Sequence, residues 1–417
     1  MKHRKKLLLI GATTGYQTRV FADAAERLGF ELVLATDRCH VLDDPWGDHA
    51  IALRFEDPQA AAEVLAAEAR VDGVVAVGDR PAYLAALAAE RMGIPYNSPD
   101  SVLACRNKFI ARERFRAAGL LVPEFYRAAI ADGPQRAAGT ARYPCVLKPL
   151  GLSASRGVIR ANDPHEFAAA FRRIEALLRD PDILRLHEEQ DRFLQVENFI
   201  EGREFALEGI LTGGKLRVLA IFDKPDPLDG PYFEETIYVT PSREPAETQR
   251  EIVRTTESAI QGLGLMHGPV HAEMRVNPRG VWMLEVAARP IGGLCARVLP
   301  GLEELILRHA AGEDVSAGEG ISQVATSLDA AGVMMIPIPR EGIYVATEGV
   351  EQARSTAGIE DVIITAKEGQ KLVPLPEGAS YLGFIFARAN SPEDVEKALR
   401  ASHERLHFEI AAALPVV

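Results

Sequence analysis

The sequence predicts an α/β protein of about three segments, with a mixed α+β region in the middle. Residues 1–105 and 330–417 both alternate short apolar strands with helices, as α/β units do. Between them, residues 267–293 have the pattern of a β-hairpin, which indicates antiparallel sheet. The length of 417 residues agrees with this division, because a domain takes roughly 150 residues.

Composition and charge exclude several classes of partner. The net charge of −12 argues against nucleic acid or an anionic membrane as the main partner. The four cysteines are scattered without metal-binding spacing, which indicates reduced thiols. The apolar stretch Leu7–Ala12 is short for a signal peptide, and no run approaches the ~18 apolar residues of a membrane span. We therefore expect a cytoplasmic protein.

The first segment has the pattern of a doubly wound parallel sheet, whose strands are continuous apolar runs. Its predicted elements are the strands Lys6–Ile10, Glu31–Ala35 and Gly73–Val77 and the helices Tyr16–Leu28 and 58–70. Gly11–Gly15 is a weak nucleotide-binding signal, because it lacks the full G-x-G-x-x-G pattern. Asp79 follows the third strand, where open sheets place ligand contacts, although a surface acid is an equally good interpretation.

The middle segment carries two candidate lysines. The long stem of Lys108 could reach a ligand, although taken alone it is usually just a solvated lysine, whereas Lys148 lies beside a loop that suits phosphate binding. Asn107 is the expected cap of a helix over 107–119, with Lys108 in its first turn. Lys148 lies on an apolar strand, where a buried lysine needs an anionic partner. The loop of small residues 151–157 that follows can offer backbone N–H groups to phosphate oxygens. The alternative is an edge-strand lysine followed by a flexible hairpin tip.

Further strands and helices follow from local periodicity. The predicted strands are Tyr143–Leu150, Phe193–Ile200, Glu204–Leu211, 215–222, Val333–Ile336, Gly342–Thr347, Asp361–Thr365 and Gly383–Arg388. Helices are predicted over 247–263 and 392–409, the second with Ser391 as its cap. The stretch 223–231 is rich in Pro and Gly, and long loops of this kind are commonly functional lids.

The hairpin at 267–293 carries two acids, Glu273 and Glu285, on either side of the turn Asn277–Gly280. Facing residues of antiparallel strands share a face, so the acids meet only if the loop has an odd residue count, roughly three or five. In the other register they lie on opposite faces. If they meet, two carboxylates ~4 Å apart repel by ~4 kcal/mol, and Mg²⁺ would relieve this repulsion. A solvated hairpin is an equally good interpretation of these residues alone.

Two neighbours of the acids bear on this site. Arg289 lies close enough to add a second positive group. His271 and Glu273 form the His-x-Glu of zinc deaminases, but that class needs Pro-Cys-x-x-Cys downstream. Cys295 stands alone, so we reject a zinc deaminase.

Taken in order, four motifs resemble the ATP-grasp superfamily of carboxylate–amine ligases, and within it the L-amino-acid (dipeptide) ligase branch. The motifs are NKFIARERFRAAGLLVPEF, YPCVLKPLGLSASRG, VENFIEGREF, and HAEMRV followed by WMLEVAARPIGG. The resemblance implies a Rossmann-like N-terminal domain (1–105) and an ATP-grasp core (106–318) with a lid subdomain (about 125–200). It also implies a small C-terminal α/β domain (319–417).

The resemblance further implies that ATP binds together with Mg²⁺ or Mn²⁺. The residues expected at the nucleotide are Lys108, Lys148, Ser153, Ser155, Glu197, Asn198, Phe199, Ile200 and Glu204. In this set the lysines contact phosphates, residues 197–200 form the adenine hinge and wall, and Glu204 binds the ribose. Glu273 and Glu285 are the expected metal ligands. Arg289 and Lys148 are the expected catalytic residues, with Arg289 stabilising the transferring phosphoryl group.

The substrate pocket is less well defined by the motifs. The candidates are Gly292, Gly293 and Arg297 for a carboxylate, Glu234, Glu235 and Asp79 for an ammonium group, and His271. Ala287 stands where many members of the superfamily, such as biotin carboxylase, carry Asn. The amino-acid ligase branch tolerates Ala there, so this departure favours that branch.

The resemblance implies that ATP activates a carboxylate as an acyl phosphate, which an amine then attacks to give an amide, ADP and phosphate. The expected partners are therefore a small carboxylate and a small amine, with no nucleic acid or membrane. A homodimer is common in related enzymes, but the sequence does not fix the oligomeric state. The alternatives are another ATP-grasp chemistry, such as a bicarbonate-using carboxylase, a non-catalytic nucleotide-binding protein, and a purely structural α/β protein.

Overall fold

The computed structural model describes residues 4–12, 17–37, 50–186, 188–315 and 330–412. The described strands are β1 (Lys6–Gly11), β2 (Glu31–Thr36), β3 (Ile51–Ala52), β4 (Gly73–Val77), β5 (Phe125–Ala129), β6 (Cys145–Pro149), β7 (Ile159–Ala161), β8 (Phe193–Asn198), β9 (Arg203–Thr212), β10 (Lys215–Lys224), β11 (Ile237–Thr240), β12 (His267–Asn277), β13 (Gly280–Ala287), β14 (Ala330–Ile336), β15 (Gly342–Glu348), β16 (Ile359–Ile364), β17 (Lys371–Leu372), β18 (Gly383–Ala389) and β19 (His407–Ala411).

The described α-helices alternate with these strands. They are α1 (Thr18–Leu28), α2 (Pro58–Glu68), α3 (Asp79–Met92), α4 (Pro99–Arg106), α5 (Lys108–Ala117), α6 (Gly133–Ala137), α7 (Pro164–Leu178), α8 (Pro181–Leu184), α9 (Ala246–Leu263), α10 (Leu302–Ala310), α11 (Val350–Arg354) and α12 (Pro392–His403). No helix in the described ranges is both long enough and apolar enough to cross a bilayer.

The N-terminal sheet is parallel, with the strand order β3-β2-β1-β4. The apolar run Leu7–Ile10 is buried at its centre, as the sequence predicts for a strand covered on both faces. The chain adds β2 on one side of β1 and β4 on the other, so the winding reverses between β1 and β4. Ligands bind at such reversals in open α/β sheets. Asp79 begins α3 directly beyond β4, whereas the predicted Gly11–Gly15 turn lies partly outside the described residues.

The second sheet is antiparallel, with the order β5-β8-β6-β7, and spans the region expected to be the lid. Helix α7 covers one face with Phe167, Phe171 and Ile174, all fully buried. They pack against inward residues of β6 and β8 such as Leu147 and Val196. The helix and sheet therefore share one small hydrophobic core.

The third and largest sheet has eight strands in the order β13-β12-β9-β10-β11-β14-β18-β16. Strand β11 pairs with β14 from Ile237↔Met334 to Thr240↔Ala331, so strands of the C-terminal segment extend the central sheet. That segment also has a separate small sheet, β17-β15-β19. The third segment is thus an α/β unit joined to the core through shared backbone hydrogen bonds.

The last predicted helix, 392–409, is too long. The helix begins as expected, because the Ser391 hydroxyl accepts a hydrogen bond from Asp394 N at 3.1 Å. It ends at His403, and His407–Ala411 forms β19 against β15. Pairing with a distant strand decides the conformation of these last residues, and the local helical pattern gives no sign of that pairing.

Candidate active site

A cavity of about 480 Å³ lies where the three sheets meet. Its walls come from the end of β4, the turn after β6, the end of β8, the β12–β13 hairpin and the loop before β18. The opposite face of the hairpin is apolar: Val270, Ala272 and Met274 pack in one core with Ile252 and Ile260 of α9. This packing fixes which side chains of the hairpin face the cavity.

Glu273 and Glu285 stand directly opposite each other in this hairpin, and both line the cavity. The register begins at Asn277↔Gly280, so the loop contains two residues and not the odd number that the sequence argument required. A β-bulge supplies the missing residue, because Met274 pairs with Met283 whereas Glu273 pairs with Glu285. Without this bulge Glu285 would point into the apolar core.

Glu273 belongs to a buried cluster of charges. Lys224 Nζ donates hydrogen bonds to Glu273 Oε1 at 3.1 Å, to Glu204 Oε1 at 2.9 Å and to Glu235. The three acids each offer an oxygen, and these oxygens lie within 4.8 Å of one another. Burial raises the pKa of Glu273, but the Lys224 charge, together with contacts to His271 and Glu235, outweighs burial and holds that pKa well below its usual range. The lysine ammonium thus occupies the centre of this triad of acids.

Glu285 has a different partner, Lys108. Lys108 Nζ lies 3.2 Å from Glu285 Oε2 and donates a hydrogen bond to Leu152 O at 2.7 Å. Asn107 caps α5 by accepting from Phe109 N and Ile110 N, both at 3.1 Å. The cap therefore fixes the first turn, and the lysine stem reaches from it to the hairpin and to the loop after β6.

Lys148 is buried and pairs with Glu197 across β6 and β8. Arg112 of α5 donates to the second oxygen of Glu197, with Nη2 at 2.9 Å, and Gln195 Nε2 donates to the same oxygen at 2.7 Å. Burial raises the pKa of Glu197, but Arg112 and Lys148 together lower it to about 2. The network confirms that this strand lysine has an anionic partner.

Arg289 and Asp79 form an ion pair at the other side of the cavity. Arg289 Nε donates to Asp79 Oδ1 at 2.7 Å, and Nη2 to Oδ2 at 3.4 Å. Burial raises the pKa of Asp79, but the guanidinium outweighs burial and lowers it. The pair joins the N-terminal sheet to the exit of the hairpin, at the reversal point between β1 and β4.

His271 connects the acid triad to the backbone near Arg289. Its Nδ1 lies 3.1 Å from Glu208 Oε2, and its Nε2 lies 3.4 Å from Glu273 Oε1. Glu208 is fully buried and accepts a hydrogen bond from Ile291 N at 3.1 Å. Burial lowers the pKa of His271, but the two carboxylates raise it to about 9.

Aromatic rings enclose the end of the cavity near β8. The rings of Phe199 and Phe233 stack with centroids 6.3 Å apart, and Arg275 lies over both. Arg275 Nε also donates to Glu204 Oε2 at 3.0 Å. A flat ring with polar groups at its edge can pack against one side of this aromatic pair.

Most of the predicted site residues reach this one cavity. Those that line it are Asp79, Lys108, Lys148, Ser153, Ser155, Glu197, Phe199, Ile200, Glu204, Glu235, His271, Glu273, Glu285, Arg289, Gly292 and Gly293. Arg297 does not line it, because its guanidinium pairs with Asp361 at 3.1 Å and lies over the Phe386 ring. Glu234 also lies outside the lining and bonds with the backbone of Ile338.

Asn198 is the third predicted residue that does not line the cavity. Its backbone N–H donates to Glu124 O at 3.0 Å inside the lid sheet, so it is already satisfied. This N–H is therefore not free to bind adenine, and the expected role of the Asn198 backbone at the adenine hinge stays a prediction.

Sequence reasoning missed several residues that organise the site: Arg112, Glu208, Lys224, Tyr238 and Arg275. A signal for two of them, Glu208 and Arg275, exists in neighbouring strands. Glu204 and Glu208 lie on one face of β9, opposite Arg275 and His271 of β12. Charged residues at every second position of two apolar strands indicate cross-strand ion pairs. Arg112 has no comparable signal, since charged residues surround it in α5.

Comparison with known families agrees with the architecture. Residues 141–298 match the ATP-grasp domain, residues 22–96 match the ATP-grasp N-terminal domain, and residues 334–411 match the L-amino acid ligase C-terminal domain 2. The chain belongs to the ATP-grasp family.

Particular relatives place it near the amino-acid ligases. The chain is similar to the crystal structure of an L-amino acid ligase from Bacillus licheniformis, with a TM-score of 0.82, 28% identity, and coverage of 98% of this chain and 100% of that chain. It is 32% identical to a D-alanine–D-alanine ligase of Geotalea uraniireducens over 56% of this chain and 67% of that protein. It is 27% identical to an alanine–anticapsin ligase of Bacillus subtilis over 50% of this chain and 46% of that protein.

The chain spans only part of several curated relatives, with 64%, 56% and 46% of their lengths covered in three cases.

Proposed function

We propose that the protein is an ATP-dependent carboxylate–amine ligase that joins amino acids through an acyl phosphate. The observation that carries this proposal is the bulge-aligned pair Glu273 and Glu285, which faces one cavity together with Lys108 and Arg289. Two acids with cations on both sides suit a phosphate chain and a divalent cation between them. The relatives named as amino-acid ligases support the same reaction class.

The two acids fit a bound Mg²⁺. Both offer carboxylate oxygens, the ligand type that Mg²⁺ prefers, and they face each other across the hairpin. When bound, the ion would neutralise charge on phosphate oxygens. Lys224 already fills the neighbouring triad of acids, so the Glu273–Glu285 pair is the place for the ion.

The nucleotide would lie between the lid sheet and the hairpin. The pair Phe199 and Phe233 would wall one side of the base, and Glu204, held by Lys224 and Arg275, would accept hydrogen bonds from the ribose hydroxyls. Lys108 and Lys148 would contact the phosphates, together with Ser153 and Ser155 in the turn after β6. Each lysine keeps an acidic partner, which fixes its position before the nucleotide arrives.

Arg289 would bind the developing charge of the transferring phosphoryl group and the acid substrate. Asp79 orients its guanidinium with both carboxylate oxygens, so neither oxygen is left for an ammonium group, whereas Lys224 holds only one oxygen of Glu235. Glu235 lines the cavity, whereas Glu234 does not. Glu235 is therefore our choice for the substrate ammonium group. The enzyme needs no protein nucleophile, because its task is to position and neutralise charge.

An assay of phosphate release tests the proposal. Purified protein, ATP and Mg²⁺ are incubated with pairs of amino acids, and the products are identified by mass spectrometry. We expect phosphate release that depends on both an acid and an amine, with a product heavier by one condensed amino acid. ADP release that needs bicarbonate and no amine would instead establish carboxylase chemistry.

The variant Glu285→Gln should abolish ADP formation, because it removes one of the two facing carboxylates. Glu257→Gln, an exposed acid on α9 behind the hairpin, is the matched control and should keep wild-type turnover. Binding of Mn²⁺ in the presence of ATP, followed by electron paramagnetic resonance, should weaken in the first variant only. Retained ADP formation in Glu285→Gln would contradict the metal role.

The homodimer, which is common in related enzymes, stays a prediction.

A further inference from the structure

Two elements that would contact the phosphates meet at one joint. The first turn of α5 carries Lys108, and the turn after β6 carries Ser153 and Ser155. Lys108 N donates to Leu150 O at 3.0 Å, and its Nζ donates to Leu152 O at 2.7 Å. The position of the lysine and the position of this turn therefore depend on each other.

Gln190 lies against this joint. It belongs to a short 3₁₀ helix, Glu189–Arg192, directly before β8. Its Oε1 accepts a hydrogen bond from Asn107 Nδ2 at 3.0 Å. Its amide also packs on Gly151, where an added Cβ atom would collide with Nε2. One side chain thus touches the residue before Lys108 and the first residue of the turn 151–157.

Glu188 fixes the orientation of the Gln190 amide. One oxygen of Glu188 accepts a hydrogen bond from Gln190 Nε2, so the Gln190 oxygen is turned toward Asn107. The other oxygen accepts from Arg106 Nη2 at 2.8 Å and from Arg80 Nε at 3.4 Å. Because these arginines belong to α4 and α3, the chain of hydrogen bonds begins in the helices before α5 and ends at its cap.

Asn107 uses both ends of its amide group. Its Oδ1 caps α5 by accepting from Phe109 N and Ile110 N, and its Nδ2 donates to Gln190. The cap holds the helical turn together, whereas the bond to Gln190 ties that turn to the segment before β8. A residue that caps the helix but has no N–H to donate would keep the first interaction and lose the second.

Resting on the nucleotide binding proposed above, we propose that Gln190 is a positioning residue, which holds Lys108 and the turn 151–157 in the arrangement that receives the phosphates of ATP. Gln190 does not line the cavity, so it acts through Asn107 and Gly151. Groups that are held in place before a ligand arrives bind it more tightly, because little ordering is left to occur on binding.

The affinities for two ligands separate this role from general stability. The dissociation constants of a non-hydrolysable ATP analogue with Mg²⁺ and of adenosine, which has no phosphates, are measured by calorimetric titration. Gln190→Met keeps the length of the side chain and loses its hydrogen bonds. We expect it to weaken binding of the analogue roughly 10-fold and binding of adenosine less than about 2-fold.

Equal weakening of both ligands in Gln190→Met, or of neither, would overturn the inference and leave the ligase function standing. A wild-type protein that does not bind the analogue would overturn both.

Asn107→Ser tests the same link from its other end. Serine caps a helix about as well as asparagine, but it has no amide N–H to donate to Gln190. The urea midpoint should stay near that of the wild type, whereas the analogue should bind roughly 10-fold more weakly. The double variant Asn107→Ser/Gln190→Met should also bind it roughly 10-fold more weakly, because both changes break one link. Binding weakened about 100-fold would show two independent effects and contradict the inference.

Gln249→Met is the matched control. Gln249 is also half-buried, and its Nε2 donates to Glu244 O at 2.8 Å and to Ser242 O at 3.2 Å at the start of α9. This variant should shift the urea midpoint about as much as Gln190→Met and keep both affinities. If it weakens binding of the analogue to the same extent, destabilisation and not positioning controls the affinity, and the inference is wrong.

Discussion

At the scale of single residues, Arg289 owes its position to Asp79, which holds the guanidinium at 2.7 Å. Burial lowers the pKa of Arg289, but Asp79 outweighs it, so the group stays charged at every working pH. We predict that Arg289→Ala lowers kcat at least about 100-fold, or ~3 kcal/mol, because it removes a positive charge that would stabilise the transferring phosphoryl group. Steady-state ADP formation measures this, and unchanged turnover would remove Arg289 from the mechanism.

His309 gives a prediction for stability against pH. Its ring stacks on His267 with centroids 4.1 Å apart, and its Nε2 lies 2.9 Å from Thr212 Oγ1. Burial, with a smaller contribution from His267, lowers the pKa of His309 to about 4. The folded pKa is below the unfolded value of about 6.5, so the unfolded state takes up the proton first as pH falls. The contribution to stability is present above about pH 6.5 and is lost between that pH and pH 4.

Urea unfolding at pH 7.5 and pH 5 should show the effect. Between pH 7.5 and pH 5, the free energy of unfolding of His309→Gln should fall by about 1–2 kcal/mol less than that of the wild type, since glutamine does not titrate. His165→Gln, at an exposed position on α7, is the control and should keep the wild-type pH dependence. If His309→Gln also keeps the wild-type pH dependence of stability, the pKa of His309 is not lowered in the folded protein.

At the scale of elements, the cap of α5 connects helix stability to nucleotide binding. Asn107 accepts two backbone hydrogen bonds at 3.1 Å and so fixes Lys108, whose Nζ lies 3.2 Å from Glu285. Asn107→Ala should reduce the free energy of unfolding by ~1 kcal/mol and also raise the KM for ATP. Asn107→Asp keeps an acceptor at the cap and should recover most of the stability.

Ser98 caps the neighbouring helix α4 by accepting from Ser101 N at 3.2 Å, and it provides the comparison. Ser98→Ala should cost a similar free energy of unfolding without a change in the KM for ATP. Parallel changes of KM in both variants would show that general destabilisation, and not the position of Lys108, controls nucleotide affinity.

The sequence predicts those elements well whose conformation depends on their own residues, and it predicts those poorly that depend on pairing with other segments. Continuous apolar runs such as Leu7–Ile10 predict their strands to within a residue, since burial alone decides them. The sequence could predict only conditionally that Glu273 and Glu285 face each other. A two-residue loop would have put them on opposite faces, and a β-bulge restores their pairing. Alternation in the sequence indicates which residues share a face of a strand. It does not reveal that one of two paired strands contains an extra residue.

The substrate candidates show a second limit. Glu234 and Glu235 are adjacent, and only their side-chain directions, set by the pairing of the next strand, place one in the cavity and one outside it. Arg297 follows the hairpin closely, yet its partner Asp361 comes from β16, 64 residues later. Contacts between distant segments decide such positions, and one sequence holds no direct signal for them.

At the scale of the whole molecule, the loop 374–381 joins the lid to the substrate side of the cavity. Gly157 N donates to Pro376 O at 2.7 Å, and Arg156 Nε donates to Glu377 O at 2.7 Å. Arg173 of α7 pairs with the carboxylate of Glu377, with Nη2 at 2.8 Å. The same loop carries Ala379–Tyr381 into the cavity wall. Nucleotide bound under the lid and amino acid bound at the loop should therefore influence each other.

We predict that ATP and the acid substrate bind cooperatively and that Arg173→Met reduces this cooperativity at least about 5-fold. Calorimetric titration of a non-hydrolysable ATP analogue, with and without the amino acid, measures the coupling in either direction. Since the pair is partly exposed, the free energy of unfolding should change by less than about 1 kcal/mol. Arg179→Met breaks a partly exposed pair between the residue after α7 and Glu175 near the end of that helix, and it should leave the coupling intact. Equal coupling in wild type and Arg173→Met would show that the lid and the loop act independently.

The pairing of β11 with β14 has a consequence for any attempt to divide the protein. A truncated chain that ends at residue 315 would leave β11 as an open edge, with unsatisfied backbone N–H and C=O groups and with Ile237 and Val239 stripped of their core. Such an edge recruits other chains, so the shortened protein should precipitate and not dissolve as a smaller nucleotide-binding unit.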